Sequence, residues 1–476
     1  MRSIIKLSIA TTSIIILSGC AAVTGHKGAM NDFDKVLNSG NCDLSIIDKK
    51  LEDGDTILWG AQGGSLARDC KIYNKSIIYL DKAEKEYKES VDKDNIAKNA
   101  LESSTSMLVN NNVNEYEGNT YEKVMVNTYK ALNFMNMNDQ ANARVEFNRA
   151  LDRQRRAKEY FEKEIKEKKE ELKKTSDKKE EEIAKKNQKN DKNDKKDNKI
   201  GSFDTFDAAN NKKTQDAIYK KYNSLLNDFD AYPDFVNPFT TYIAGVYFML
   251  EGDSSKARNL LKESVSMAPK NKQILSDFKL SDKYINSLKN AKENYAWVIY
   301  ENGQGMVKDE IRIDIPLFLF TSNAYYTGIA LPKITERTNS YKHLNINGKK
   351  TTQVCNMDNV IKTEFKKRFP MIVTEAVLNT VIKTVAQKQL KDKGGIVGGI
   401  VGSLYQGLTN KSDVRSWTAL PKEFQSTRVT LNNKPIKIKD DKGNLIQSIN
   451  IPNGKNALIY VRSRNAGDTK IHQTLF

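Results

Sequence analysis

At 476 residues, 38% of them hydrophobic, the chain is long enough for two or three domains with cores of their own. Its net charge of +17 would point to nucleic acid in a cytosolic protein. Three histidines (His26, His343, His472), far apart in sequence, and no G-x-x-x-x-G-K loop leave little for metal, triad or phosphate chemistry, so no catalytic, metal or cofactor site is expected.

The chain opens as an export signal over residues 1–20. Met1-Arg2 and Lys6 supply positive charge and Leu7 to Leu17 an apolar run. Leu17-Ser18-Gly19-Cys20 resembles the lipobox of bacterial lipoproteins, which implies that Cys20 is lipidated and becomes the first mature residue. The alternative is an ordinary secretory signal with an incidental cysteine. Ala21 and Ala22 follow where an inner-membrane retention signal would place Asp, so the resemblance implies an outer-membrane protein facing the periplasm. Export removes nucleic acid as a partner and leaves anionic headgroups, acidic proteins or nothing specific. No other stretch has the roughly 18–20 apolar residues of a spanning helix, so lipid is the evident anchor. In an oxidising compartment Cys42 and Cys70 could form a disulfide or stay reduced; Cys355 is then left over.

Residues 21–30 read as a tether. From Met30 to Leu51, Phe33, Val36, Leu37, Leu44, Ile47 and Leu51 recur at helical spacing around Gly40. A helical hairpin runs from Leu58 to Tyr87, with Gly64, Ser76, Leu80 and Ala83 at its crossing positions, and Asn95 to Glu115 supplies a further helical segment. A second hairpin places Ala131, Phe134, Asn138, Ala143, Phe147 and Ala150 at the offsets that Gly245, Phe248, Gly252, Ala257, Leu261 and Ser264 hold in the strongest one, Thr241 to Pro269. This order of small, aromatic, glycine, alanine, large and proline positions resembles the tetratricopeptide repeat (TPR), whose helix pairs stack because none buries its apolar face alone. TPR-like repeats are thus expected over 31–160 and 203–294, with helices at Thr214 to Phe229 and Lys272 to Asn294. Between them, 161–202 is a charged, coiled-coil-like extension, helical to about Leu172. Thr175 to Ser202 is expected to be disordered or a fraying exposed helix, because it has too little apolar surface to offset ordering.

From residue 295 to 476 the pattern changes to an α+β domain. Glu301-Asn302-Gly303 between two β-rich runs predicts a hairpin. Further strands are expected at Tyr325 to Leu331, Ser340 to Ile346, Lys349 to Val354, Val429 to Leu431, Ile436 to Ile438, Leu445 to Ile451 and Ala457 to Arg462. Asp358 to Leu390 reads as a helix divided at Pro370. The glycine-rich run 394–402 is a flexible loop or a smooth helix face for close packing. The fold class is mainly α: a TPR-like solenoid followed by an α+β domain with antiparallel hairpins.

In tetratricopeptide domains the first helix of each pair lines a groove that holds an extended peptide or a partner helix. Those offsets fall here on Met125, Thr128, Leu132 and Met135, and on Phe239, Tyr242, Val246 and Met249. The same positions could instead pack on the intervening helix or the C-terminal domain. With RIDIPLFL, IALPKI and DVRSWTALPKEFQ, the chain resembles Gram-negative outer-membrane TPR lipoproteins, a family that often accompanies lipoproteins similar to activators of penicillin-binding proteins. That resemblance implies a non-enzymatic periplasmic scaffold that binds envelope proteins, for instance in peptidoglycan assembly, with a surface-exposed structural lipoprotein or adhesin as the alternative. No small-molecule substrate is expected.

Overall fold

Each of the three helical hairpins turns on a residue in the left-handed conformation, where a helix must reverse within two or three residues. The computed structural model describes residues 26–87, 115–188, 212–232, 235–284, 293–316, 326–380 and 412–476. Helices α1 (26–39) and α2 (Ser45–Glu52) lead into α3 (Thr56–Asp69) and α4 (Tyr73–Glu86). The second hairpin is α5 (Thr120–Asn136) with α6 (Gln140–Gln188), and α7 (Lys212–Asn227) precedes the third, α8 (Pro238–Glu251) with α9 (Ser254–Met267); α10 (Lys272–Lys283) follows. The turns are made by Lys71 (φ 61°), Asn138 (φ 60°) and Gly252 (φ 92°). Small residues then let the paired helices cross closely: a β-carbon on Gly64 would lie 2.5 Å from Leu80, and one on Gly245 2.9 Å from Leu261. Pro238 occupies the first turn of α8, behind an Asn237 side chain that accepts from the Phe239 and Thr240 N–H groups.

Three helical expectations need correction. The tether ends earlier than residue 30, because α1 already begins at residue 26 and buries Phe33 and Leu37. Helix α6 does not end near Leu172 but continues to Gln188. Leu172, Thr175 and Ser176 are buried, and Arg368 pairs with Glu164, so the charged segment has a packed face that composition alone conceals. Finally, α11 (357–380) passes through Pro370 unbroken. Proline removes one ladder bond, yet Phe365, Phe369, Val373 and Val377 are buried on both sides of it and their packing outweighs that loss. Residues 95–114 and 189–202, 381–390 and the glycine run 394–402 lie outside the described residues.

The C-terminal part is rich in sheet, mostly antiparallel. Strands β1 (Tyr295–Asn302), β6 (Thr352–Asn356), β7 (Glu423–Thr430), β10 (Ala457–Ser463) and β11 (Thr469–Leu475) form a five-stranded sheet in the order β11-β10-β1-β7-β6. A two-stranded sheet pairs β2 (Val307–Pro316) with β3 (Tyr326–Thr335), and a four-stranded one has the order β5-β4-β8-β9, from β4 (Asn345–Ile346), β5 (Lys349–Lys350), β8 (Ile436–Lys439) and β9 (Leu445–Ile449). The hairpin expected at Glu301-Asn302-Gly303 does not form. β1 pairs parallel with β10 and antiparallel with β7, while β2 leaves for another sheet. Gly303 has the positive φ of a turn residue, but its N–H bonds to the Ser463 carbonyl. The turn conformation is there, and the strand it delivers goes elsewhere. The Asn347-Gly348 turn does join β4 to β5.

The five-stranded sheet is covered on both faces, as its near-continuous apolar strands require. Ala296, Val298 and Tyr300 of β1, with Ala457, Ile459 and Val461 of β10, pack on Ile346, Ile436, Ile438 and Ile449 of the four-stranded sheet. The alternate residues Trp297, Ile299, Leu458 and Tyr460 share a core with the helical hairpins. That core runs unbroken from Met30 to Tyr460, across the boundary near residue 295.

Candidate functional site: the inner face of the helical array

All eight residues expected to line a groove lie on α5 or α8, and none is more than 2% exposed; Thr128 is likewise buried. Phe239, Tyr242 and Met135 meet this chain's own C-terminal part. The ring of Phe239 stacks on Phe424 of β7 with centroids 3.6 Å apart and planes 2° from parallel. Tyr242 donates to Asp277 of α10 at 2.7 Å and shares a 2.8 Å hydrogen bond with Ser426 of β7. Thr474 of β11 donates to the Met135 carbonyl at 3.4 Å, and Thr128 bonds Thr240 across the two hairpins at 2.9 Å. Leu132, Met125, Val246 and Met249 belong to the same apolar cluster.

A second stretch, 415–419, has no regular secondary structure and is held by the first two hairpins. Gln62 donates to the Ser416 carbonyl at 3.1 Å and accepts from the Ala419 N–H at 3.1 Å. Glu122 accepts the Trp417 N–H at 3.0 Å, and Ser65 accepts its indole N–H at 2.9 Å. Trp417 sits edge-on to Tyr129, and Arg415 pairs with Asp55 at 2.7 Å.

At the centre of the contact is Glu301. Its carboxylate accepts from Tyr129 of α5 at 2.7 Å and Tyr460 of β10 at 2.5 Å, with Arg462 at 3.2 Å and Arg68 of α3 at 3.6 Å. Burial, reinforced by Glu301, pushes both phenols well above their ordinary range, so they remain donors. Arg68 lies over the Tyr460 and Tyr129 rings, 4.3 and 5.1 Å from their centroids. Asp277 accepts from Tyr242, Trp297, Gln273 and Arg428; burial raises its pKa against the pull of Arg428.

Neither a family model, nor a curated protein, nor a solved structure matches this chain.

Cys20 lies outside the described residues, and none of the described helices is long and apolar enough to cross a membrane. Cys42 and Cys70 are joined in a disulfide with Cα atoms 5.7 Å apart, tying the α1–α2 connection to the end of α3. Cys355 is buried and its thiol is pushed up to about 12 by desolvation, which makes it a poor nucleophile. The histidines stand apart: His26 faces Asp55, half-buried His343 lies before β4, and buried His472 meets Tyr73 at 2.6 Å. Among the described residues no three metal-ligating side chains come together. Sequence patterning does not single out Gln62, Asp277, Glu301 or Trp417. A signal does exist for one of them, since Gln62 is an isolated polar residue within the apolar run ILWGAQGG.

Proposed function

We propose that this chain is a lipid-anchored, non-enzymatic scaffold of the bacterial outer membrane whose TPR-like array holds its own C-terminal segment and offers other surfaces to envelope proteins. The observation that supports this reading is the filled inner face, where Gln62, Ser65 and Glu122 grip residues 415–419 and α8 packs on β7. A buried, hydrogen-bonded contact of this kind makes the array and sheet one rigid platform. The lipobox at Cys20 supports the anchor. Because Leu132, Tyr242 and Met249 are core residues, substituting them would test stability rather than docking.

The test is fractionation and in-cell crosslinking of wild type and Cys20→Ser. Wild type is expected in the outer-membrane fraction, protected from protease on intact cells and crosslinked to a recurrent envelope protein, with Cys20→Ser released to the periplasm. Digestion on intact cells would favour a surface structural role instead. Turnover of purified sacculi by the protein would overturn the scaffold reading.

A further inference from the structure

Two sheet edges border one polar cleft. β11 ends the five-stranded sheet and β9 ends the four-stranded one. The cleft, about 480 Å3, is lined by Ile471 and Gln473 of β11, Gln447 and Ser448 of β9, and Lys71 and Tyr73 from the α3–α4 turn.

The register shows what β11 presents there. Asn456 and Phe476 exchange both main-chain hydrogen bonds, at 3.2 and 2.9 Å. In an antiparallel ladder bonded and non-bonded pairs alternate, so Leu458 with Thr474 and Tyr460 with His472 are bonded pairs. Ile471 and Gln473 therefore turn their N–H and C=O groups away from β10, towards the open side. β11 has no second strand partner among the described residues, and it contains neither a proline nor a bulge to blunt its edge. Among the described residues Lys71 is the one ionised side chain on the cleft wall, and no carboxylate lines it. Two exposed apolar side chains lie near the lining residues in sequence: Ile72, between Lys71 and Tyr73 and 41% exposed, and Leu445, two residues before Gln447 on β9 and 58% exposed.

The geometry points to a strand-addition site: an extended, acidic peptide pairs with Ile471 and Gln473 along β11, sets a carboxylate on Lys71 and covers Ile72 and Leu445 with apolar side chains. This deepens the scaffold reading, on which it rests, by naming the docking surface and the chemistry of the partner.

The test uses the full chain, a displayed library of random dodecapeptides, and two variants. Gln473→Pro removes an outward N–H without touching the β10 ladder, since residue 473 is in a non-bonded pair. Lys71→Glu reverses the charge on the wall. Wild type should select acidic peptides that slow amide exchange at Ile471 and Gln473 and bind about tenfold more weakly to each variant. Unchanged melting of Gln473→Pro shows that its loss is not misfolding. Failure to enrich any peptide, enrichment of basic ones, or binding indifferent to both variants would overturn the proposal. So would self-association abolished by Gln473→Pro with no peptide bound, which would assign the edge to a second copy. If envelope crosslinks persist undiminished in Gln473→Pro, strand addition fails while the scaffold reading stands; if wild type forms none, the scaffold reading fails by itself.

Discussion

Replacing Glu301 by Gln preserves shape and removes one charge at the point where α3, α5 and β10 converge. Glu301 is 2% exposed, so Arg68 and Arg462, each 1% exposed, would lose their shared counter-charge without gaining water. An amide also has one acceptor where the carboxylate has two, so one of the Tyr129 and Tyr460 hydroxyls loses its acceptor. Breaking a buried ion pair on one side costs about 3–5 kcal/mol, and an orphaned buried donor about 1–3 kcal/mol, the two overlapping here because the same cavity can relax. We expect Glu301→Gln to lower unfolding free energy by about 3–5 kcal/mol, read as a fall in urea midpoint with the slope unchanged. Arg462→Met in the same background should recover part of that loss, because it removes one uncompensated cation. A loss below about 1 kcal/mol, or strictly additive effects of the two substitutions, would refute the view that Glu301 binds the two layers through charge.

His472 has its pKa driven down to about 3, chiefly by burial and secondarily by Arg68. With an unfolded value near 6.5, its contribution is complete above about pH 6.5 and is lost as pH falls towards 3. At pH 4.5 the loss is about 2–3 kcal/mol. The gap in urea midpoint between wild type and His472→Gln should therefore narrow or reverse between about pH 7.5 and 4.5; a constant gap contradicts this. Gly60→Ala would place a β-carbon 2.6 Å from the Tyr79 carbonyl and should cost about 1–3 kcal/mol by thermal denaturation despite alanine's better helix propensity. Reducing the Cys42–Cys70 bridge, whose cysteines are 28 residues apart, should cost about 3–4 kcal/mol, seen as a lower melting temperature in dithiothreitol that Cys42→Ser with Cys70→Ser reproduces in its absence.

The helical hairpins are legible in the sequence because their determinants are local. Gly252, Asn138, Gly64 and Gly245 mark turns and crossings within a few residues of what they touch, and all four act at those places. Strand pairing is not local. The run of Trp297, Val298 and Ile299 is recognisable as strand, but its partners β7 and β10 lie more than a hundred residues on, and the nearby Asn302-Gly303 points to the wrong neighbour. The same distinction governs the site. Spacing identifies Met125, Thr128, Leu132 and Met135 as one face of a helix; it does not say that Thr474 and the five-stranded sheet will cover that face. Burial of Leu172 within a lysine- and glutamate-rich helix is invisible to composition, because one apolar residue suffices when a neighbouring element receives it.

Asp69 receives Arg464 in hydrogen bonds of 3.0 and 2.6 Å across a separation of 395 residues, and Gln62 reaches the Ser416 carbonyl across 354. During synthesis the amino-terminal hairpins therefore emerge long before the strand and segment that cover them. At about 5–20 residues per second, that interval is roughly 20–80 s. Throughout it Tyr129 and the buried Arg68 lack the Trp417 and Tyr460 rings that cover them, and loop closure over such lengths is slow. A chain interrupted before residue 415 would lack the 415–419 segment, β7, β10 and β11 and so would leave open the part of the inner face that they cover, which makes the final stretch of the chain decide how much apolar surface the first hairpins expose.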